Sequence, residues 1–238
     1  MINKKTIYIL LPIFFISLII LMRLVFNSNK NTTQIQTDQK TKQDLYETVI
    51  ISPTSTSQIQ FFWKKPDNNK NIQTIAALKS YIKEKNQGTL TFATNGGIFD
   101  PTYTPLGLYI ESGKELVPIN NTNGTGNFYL KPNGIFAIYA DHAEIKDATE
   151  FTSDTSIIHA LQSGPLLLKQ GVIHPAFSPT STSKYIRSGV GIDTNGNILF
   201  AISNKPVTFY EFAIYFKETL HATNALYLDG AISEMYID

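Results

Sequence analysis

An α+β fold with mixed β-sheets and few helices is what this 238-residue sequence predicts. Three observations carry that reading. Only two segments show a helical apolar period, whereas short apolar runs joined by Ser-Gly, Asn-Gly and Gln-Gly turns recur throughout. Two stretches, 72–97 and 209–231, share one plan of helix, short apolar strand and polar-Gly corner, which predicts pseudo-twofold halves. The chain also has no cysteine, so disulfides, thiolate metal sites and a cysteine nucleophile are excluded.

The elements follow in chain order. Asn3-Lys4-Lys5 precedes an apolar run from Ile7 to Phe26, long enough to cross a bilayer as a helix. Residues 1–26 are therefore predicted to be a transmembrane anchor or signal segment. The leading lysines orient it N-in/C-out and place the remainder outside the cytoplasm. Residues 27–44 are polar, as in a flexible linker. The domain spans 45–238. It opens with strand-like runs at 46–51 and 58–63, read as a hairpin with Trp63 in a core strand. Ile72, Ile75, Leu78 and Ile82 predict a helix over 72–85, ended by Gln87-Gly88. A strand over 90–94 runs into the corner Asn95-Gly96-Gly97. Hairpins are predicted for 106–110 with 116–119, 127–130 with 135–139, 166–169 with 172–173, and 190–193 with 198–202. A strand covers 157–161. Thr208-x-x-Glu211 fits a capping box opening a helix over 209–220, followed by a strand over 225–228 and the corner Asp229-Gly230-Ala231.

Charge is nearly balanced, 20 basic against 19 acidic residues, without a basic stripe, which argues against a nucleic-acid partner. Polar residues at the ends of buried strands are the candidates for chemistry. Asn95 with Gly96 and Gly97 is either a turn needing positive φ or a binding corner. Gly126-Asn127 offers backbone N–H groups to an anion, or is a plain loop entering a strand. Gln162-Ser163-Gly164 follows a strand, yet Ser163 lacks an evident activating base. Arg23 and Arg187 are the only arginines. Arg187, at a strand entrance, suits two-point recognition of phosphate, against the plainer reading of a surface ion pair. Asp229 suits acid–base work, or caps a turn; Ser233 lies close behind it. His142, His159, His174 and His221 make no zinc-ligand spacing, although His174 could line a cleft. No cofactor is indicated, and a divalent metal is left open.

These segments together resemble the phosphodiester glycosidase family. The likeness is carried by Phe92 to Phe99, Pro105 to Ile110, Gly126 to Tyr129, Gln162 to Leu166, Arg187 to Gly191 and Leu228 to Ser233, in the family's order. Ala231 departs from it, standing where relatives often carry a second glycine. The resemblance implies hydrolysis of a sugar-1-phosphodiester. Asp229, Arg187 and Asn95 would be catalytic, and Gly96, Gly97, Gly126, Asn127, Gln162, Ser163, Gly164 and Ser233 would bind substrate. The expected partners are a sugar-phosphate diester, from envelope or extracellular polysaccharide, and the membrane. The rival expectation is a noncatalytic envelope module that binds glycan or peptidoglycan.

Overall fold

The computed structural model describes residues 45–230 and 232–238. The predicted anchor 1–26 and linker 27–44 lie outside the described residues. In chain order the elements are β1 (Tyr46–Ile51), α1 (Ile75–Glu84), β2 (Phe92–Thr94), β3 (Tyr109–Glu111), β4 (Lys114–Val117), β5 (Gly134–Ile138), β6 (Ala143–Asp147), β7 (His159–Ser163), β8 (Leu166–Lys169), β9 (Val172–Ile173), β10 (Ser188–Asp193), β11 (Ile198–Ser203), α2 (Phe209–Ile214), β12 (Ala222–Tyr227) and β13 (Met235–Ile237). This is the expected α+β class with few helices. Every strand pairing among the described residues is antiparallel.

A six-stranded sheet runs β1-β11-β10-β12-β8-β9, a five-stranded sheet runs β4-β3-β7-β5-β6, and β13 pairs with β2. Period-2 alternation explains how the layers stack. Phe136 and Ile138 of β5 join Val190, Phe200 and Leu226 of the larger sheet in one core. Ile135 and Ala137 face the other way, against Phe151 and Ile157. Leu199, Ala201 and Tyr227 point to the outer face of the larger sheet, where Phe212 and Phe216 cover them. Each such aromatic, fully buried, contributes roughly 1.5–3 kcal/mol. The helix carrying Phe212 starts where Thr208 Oγ1 accepts from Glu211 N (3.0 Å) and Glu211 Oε2 accepts from Thr208 N (2.7 Å). This is the predicted capping box. Beyond Ile214 the helix widens into a π turn over Tyr215–Thr219. α1 starts at Thr74, whose hydroxyl accepts from Ala77 N (3.1 Å).

Three hairpins fall where their turn residues put them: β3–β4, β8–β9 and β10–β11. The Ser112-Gly113 and Gln170-Gly171 turns place both residues at positive φ, as tight hairpins with the strand twist require. Two hairpins differ from expectation. β1 pairs over its whole length with β11, not with 58–63. Ser52-Pro53 launches a 3₁₀ turn over Pro53–Gln58, with Ser52 Oγ accepting from Thr54 N (3.4 Å). That turn carries the chain off the sheet. Trp63 is accordingly outside any strand; it is half-buried and donates from Nε1 to Tyr103 O (2.6 Å). Residues 127–129 likewise form a 3₁₀ turn, and β5 pairs with β6 and β7 instead. Asn133 Nδ2 donates to Phe128 O (3.0 Å), which pins that turn beside β5 rather than in register with it. The pseudo-twofold expectation is corrected as well. β12 lies inside the larger sheet between β10 and β8, whereas three-residue β2 pairs, among the described residues, only with β13. β12 is apolar enough to be buried on both faces, and β2 is not.

Candidate active site

Four chain segments meet beyond the ends of β2, β7 and β12 and the start of β10. The first contact joins the two corners. Asp229 N–H donates to Gly96 O (3.2 Å). Asn95 Nδ2 donates to Asp229 O (2.9 Å) and to Gly96 O (3.2 Å), while its Oδ1 accepts from Glu234 N (3.2 Å). The Asn95 amide is thus committed to backbone, and it acts as a clamp rather than an open hydrogen-bonding group. Neither Gly96 nor Gly97 has positive φ. Gly97 is glycine for room: an added Cβ would stand 2.7 Å from Gln162 O and 3.3 Å from Ser163 Cβ.

Asp229 is 7% exposed. Its carbonyl is held a second time by Ser233 Oγ (3.3 Å), and Ser233 Oγ also reaches Ser188 Oγ (3.2 Å). Ser188 was not anticipated, although it stands next to Arg187. Leu228 N–H donates to Ser188 O (3.0 Å), so the Asp229 corner hangs directly on the start of β10.

Arg187 lies on the other side of this junction and is 1% exposed. Its Nε donates to Val207 O (2.9 Å) and one terminal nitrogen to Ser183 O (3.2 Å). The guanidinium carbon lies 3.6 Å from the centre of the Phe209 ring and 5.5 Å from those of Tyr185 and Tyr227. The expectation of an exposed fork gripping phosphate is therefore corrected: the fork is boxed by aromatic rings and backbone carbonyls. Burial lowers its proton affinity, and the Tyr227 and Tyr185 phenols oppose that. Its line to the corner runs through Tyr227, a residue sequence reasoning missed. The Tyr227 ring centre lies 5.5 Å from the guanidinium carbon, and its hydroxyl packs directly against Gly230, where it fills the space an added Cβ would need. Burial raises the Tyr227 phenol above its ordinary 10.0 and the Asp229 charge adds to this, while Arg187 and Gly230 work against it. The i, i+2 spacing of Tyr227 and Asp229 was the available signal, since alternate strand residues share a face.

The remaining candidates divide by exposure. Gly96, Gly126 and Asn127 are exposed. Gln162 and Ser163 lie within β7 rather than after it, and both are buried with Gly164. Gln162 Oε1 accepts from Leu108 N (3.0 Å) and Asn120 N (2.9 Å), and its Nε2 donates to Asn120 O (2.7 Å). That amide is a bracket for the 106–120 segment, not a ligand contact. Ser163 Oγ is buried and has no hydrogen-bond partner among the described residues. Gly164 packs on Asn133, where an added Cβ would lie 2.6 Å from Asn133 Cβ. Gly126, at φ 96, begins the 3₁₀ turn through Asn127–Tyr129. His174 does not open on a cleft: it is 4% exposed, its Nδ1 accepts from Ala176 N (3.1 Å), and its ring stacks on Phe177 at 4.7 Å. Among the described residues, no group of three or more His, Asp and Glu converges on a metal position.

The ordered meeting of these motifs is matched by sequence comparison. The family model for phosphodiester glycosidase (NAGPA) matches residues 88–237, and the chain belongs to that family. The protein YigE of Escherichia coli strain K12, described as uncharacterized, is 42% identical over 182 residues, covering 76% of this chain and 70% of its own. Two solved structures are more distantly similar. The catalytic domain of zebrafish N-acetylglucosamine-1-phosphodiester alpha-N-acetylglucosaminidase, auto-inhibited by pro-peptide, has a TM-score of 0.46 and 20% identity over 62% of this chain and 53% of its own. A hypothetical protein from Synechocystis has a TM-score of 0.49 and 16% identity over 81% of this chain and 55% of its own. The chain thus spans about half the length of each solved relative.

Proposed function

We propose that this protein hydrolyses a sugar-1-phosphodiester, with Asp229 as the base that activates water. Membership in the phosphodiester glycosidase family supports hydrolase chemistry. The observation that carries the assignment is the Asn95–Asp229 contact at 2.9 Å, which fixes the acid's backbone where four segments meet. In the proposed step the Asp229 carboxylate takes a proton from water. The water oxygen bonds to the anomeric carbon. The bond from that carbon to the phosphate oxygen breaks, and its electron pair leaves with the phosphate monoester of the second alcohol. A phosphate monoester is a good leaving group, so the site needs less acid assistance than an ordinary glycosidase. Asn95 and Arg187 act as positioning residues: the first clamps the acid's backbone, and the second holds Tyr227 against Gly230. Gly96, Gly126 and Asn127 supply exposed backbone to the substrate, and Ser163 and Ser233 border it.

The test compares wild type with Asp229→Asn on sugar-1-phosphate methyl diesters, in water enriched in heavy oxygen. The expected result is a fall in kcat on the order of 10²–10⁴-fold, with label appearing in the sugar hydroxyl. Unchanged turnover in folded Asp229→Asn rejects the assignment. Saccharide binding without any turnover by the wild type favours the noncatalytic glycan- or peptidoglycan-binding module.

We further propose that the domain is held outside the cytoplasm by the apolar run Ile7–Phe26, with residues 27–44 as the tether. Protease digestion of intact spheroplasts tests this. The domain should be cleaved while cytoplasmic markers survive, and protection of the domain rejects the orientation.

A further inference from the structure

Trp63 stands where two loops meet that the proposed chemistry leaves unused. One is the turn 63–72, closed by Ile72 N–H on Trp63 O (2.9 Å) and Lys65 N–H on Lys70 O (2.8 Å). The other is the excursion 98–106, which follows the Gly97 corner and returns through Leu106 N–H on Ile98 O (3.0 Å). Its tip is fixed by Asp100 Oδ1, which accepts from Thr102 N (2.8 Å), Thr102 Oγ1 (2.6 Å) and Thr104 N (3.0 Å). The Trp63 indole N–H on Tyr103 O (2.6 Å) ties the two loops together. Between them a pocket of about 490 Å³ opens to solvent, within the size range of small-molecule sites. Asn95, Gly96 and Asp229 do not line it. It is a second site, separate from the corner.

The lining has one chemical character. Trp63, Lys64, Asn71 and Thr104 are half-buried in it, while Lys70 and Gln73 are exposed at its edge. Neither a carboxylate nor an aliphatic side chain lines it. The two lysines have no ion-pair partner among the described residues. The neighbouring carboxylates are already engaged, Asp67 by Lys85 at 2.8 Å and Asp100 by its own loop. The Lys64 ammonium is instead seated 3.9 Å from the centre of the Trp63 ring, held by the negative face of the indole. Asn71 Oδ1 is buried with no hydrogen-bond partner among the described residues, an acceptor that a donor from outside the chain would complete. Ammonium groups without counter-charge attract an anion. Carboxamides and hydroxyls, which both donate and accept, suit a ligand rich in hydroxyl groups.

We propose that this pocket binds an acidic saccharide, a sugar chain that carries carboxylate or phosphate groups. Lys64 and Lys70 meet the charge, and Asn71, Gln73 and Thr104 meet the hydroxyls. The site gives the domain a hold on an acidic glycan. That hold is independent of the hydrolase reading above and needs no turnover.

The experiment titrates the full chain with tetragalacturonate, singly phosphorylated maltotetraose, plain maltotetraose and oligothymidylate. Calorimetry gives the affinities. The fluorescence of Trp63, the single tryptophan, reports whether the ligand enters this pocket. Wild type is compared with Lys64→Gln, Lys70→Gln and Lys205→Gln, the last an exposed lysine outside the pocket. One or both acidic saccharides should bind about tenfold or more tightly than plain maltotetraose, with a change in Trp63 emission. The tighter of the two assigns carboxylate or phosphate. Lys64→Gln and Lys70→Gln should each weaken that binding by about threefold or more, and Lys205→Gln should leave it unchanged. Three results overturn the proposal: no preference for the acidic saccharides, affinity unchanged in both pocket variants, or binding that leaves Trp63 emission unaltered. Oligothymidylate bound as tightly as the acidic saccharides also overturns it, because charge alone would then explain the attraction.

Discussion

Replacing Arg187 with lysine tests the aromatic box most sharply. Lysine keeps the charge, so the cost of burying a cation remains, and the ammonium is the more strongly hydrated of the two. What disappears is the planar fork. One ammonium cannot serve both Val207 O and Ser183 O in the arginine's geometry, now 2.9 Å and 3.2 Å from separate nitrogens. A hydrogen bond to a charged group contributes about 1.5–3 kcal/mol. The stack on Phe209 at 3.6 Å is also lost, and a desolvated cation–π contact is worth about 2 kcal/mol. Water can replace the donor at exposed Ser183, which returns part of the first loss. The expected net destabilisation is about 2–4 kcal/mol. Urea denaturation followed through Trp63, the single tryptophan, measures it. A loss below about 1 kcal/mol, combined with a collapse in turnover, refutes the reasoning: Arg187 would then be contacting substrate rather than holding Tyr227.

Asn95→Ala removes the 2.9 Å bond to Asp229 O and the acceptor of Glu234 N–H. Stability should fall by about 1–3 kcal/mol and diester kcat at least tenfold; full turnover in the folded variant would show that the clamp is dispensable. Gly97→Ala drives a methyl to 2.7 Å from Gln162 O, a backbone atom that cannot swing away, whereas at Gly96 the nearest atom is Leu161 Cδ2 at 3.8 Å. Thermal denaturation should register about 1–3 kcal/mol for the first and under about 0.5 kcal/mol for the second; equal effects would contradict the packing argument. Burial depresses both His159 and His174 below the ordinary 6.5. The folded protein then binds fewer protons than the unfolded chain, so their contribution is complete above pH 6.5 and is lost as pH falls from there toward the lowered folded values. Urea midpoints at pH 7.5 and 5.5 should differ, and His174→Gln should narrow the gap; an unchanged gap in both His174→Gln and His159→Gln contradicts the assignment.

Where the sequence was readable, one local rule dominated. Gln170-Gly171 and Ser112-Gly113 can adopt positive φ cheaply, so their hairpins are visible in a few residues. Thr208 and Glu211 satisfy each other's backbone, so that helix start is visible too. The misreadings share a different cause. The 46–51 and 127–130 runs each had an apolar neighbour in sequence that satisfied the pattern, yet 46–51 paired with the distant β11, and 127–129 coiled into a 3₁₀ turn while β5 paired with β6 and β7. Asn95, Arg187 and Asp229 were identifiable as unusual residues at strand ends, but what each touches was not.

The sequence by itself determined the two helices, most of the strands, the turn chemistry and the order of the family's motifs, because each depends on residues within a few positions of one another. The tertiary structure alone decided that β1 joins β11, that Asn95 spends its amide on Asp229 O, and that Arg187 faces Phe209 and Tyr227 rather than solvent. Those outcomes depend on contacts between segments over a hundred residues apart or on which face of a sheet is covered, and no local pattern of residues encodes either.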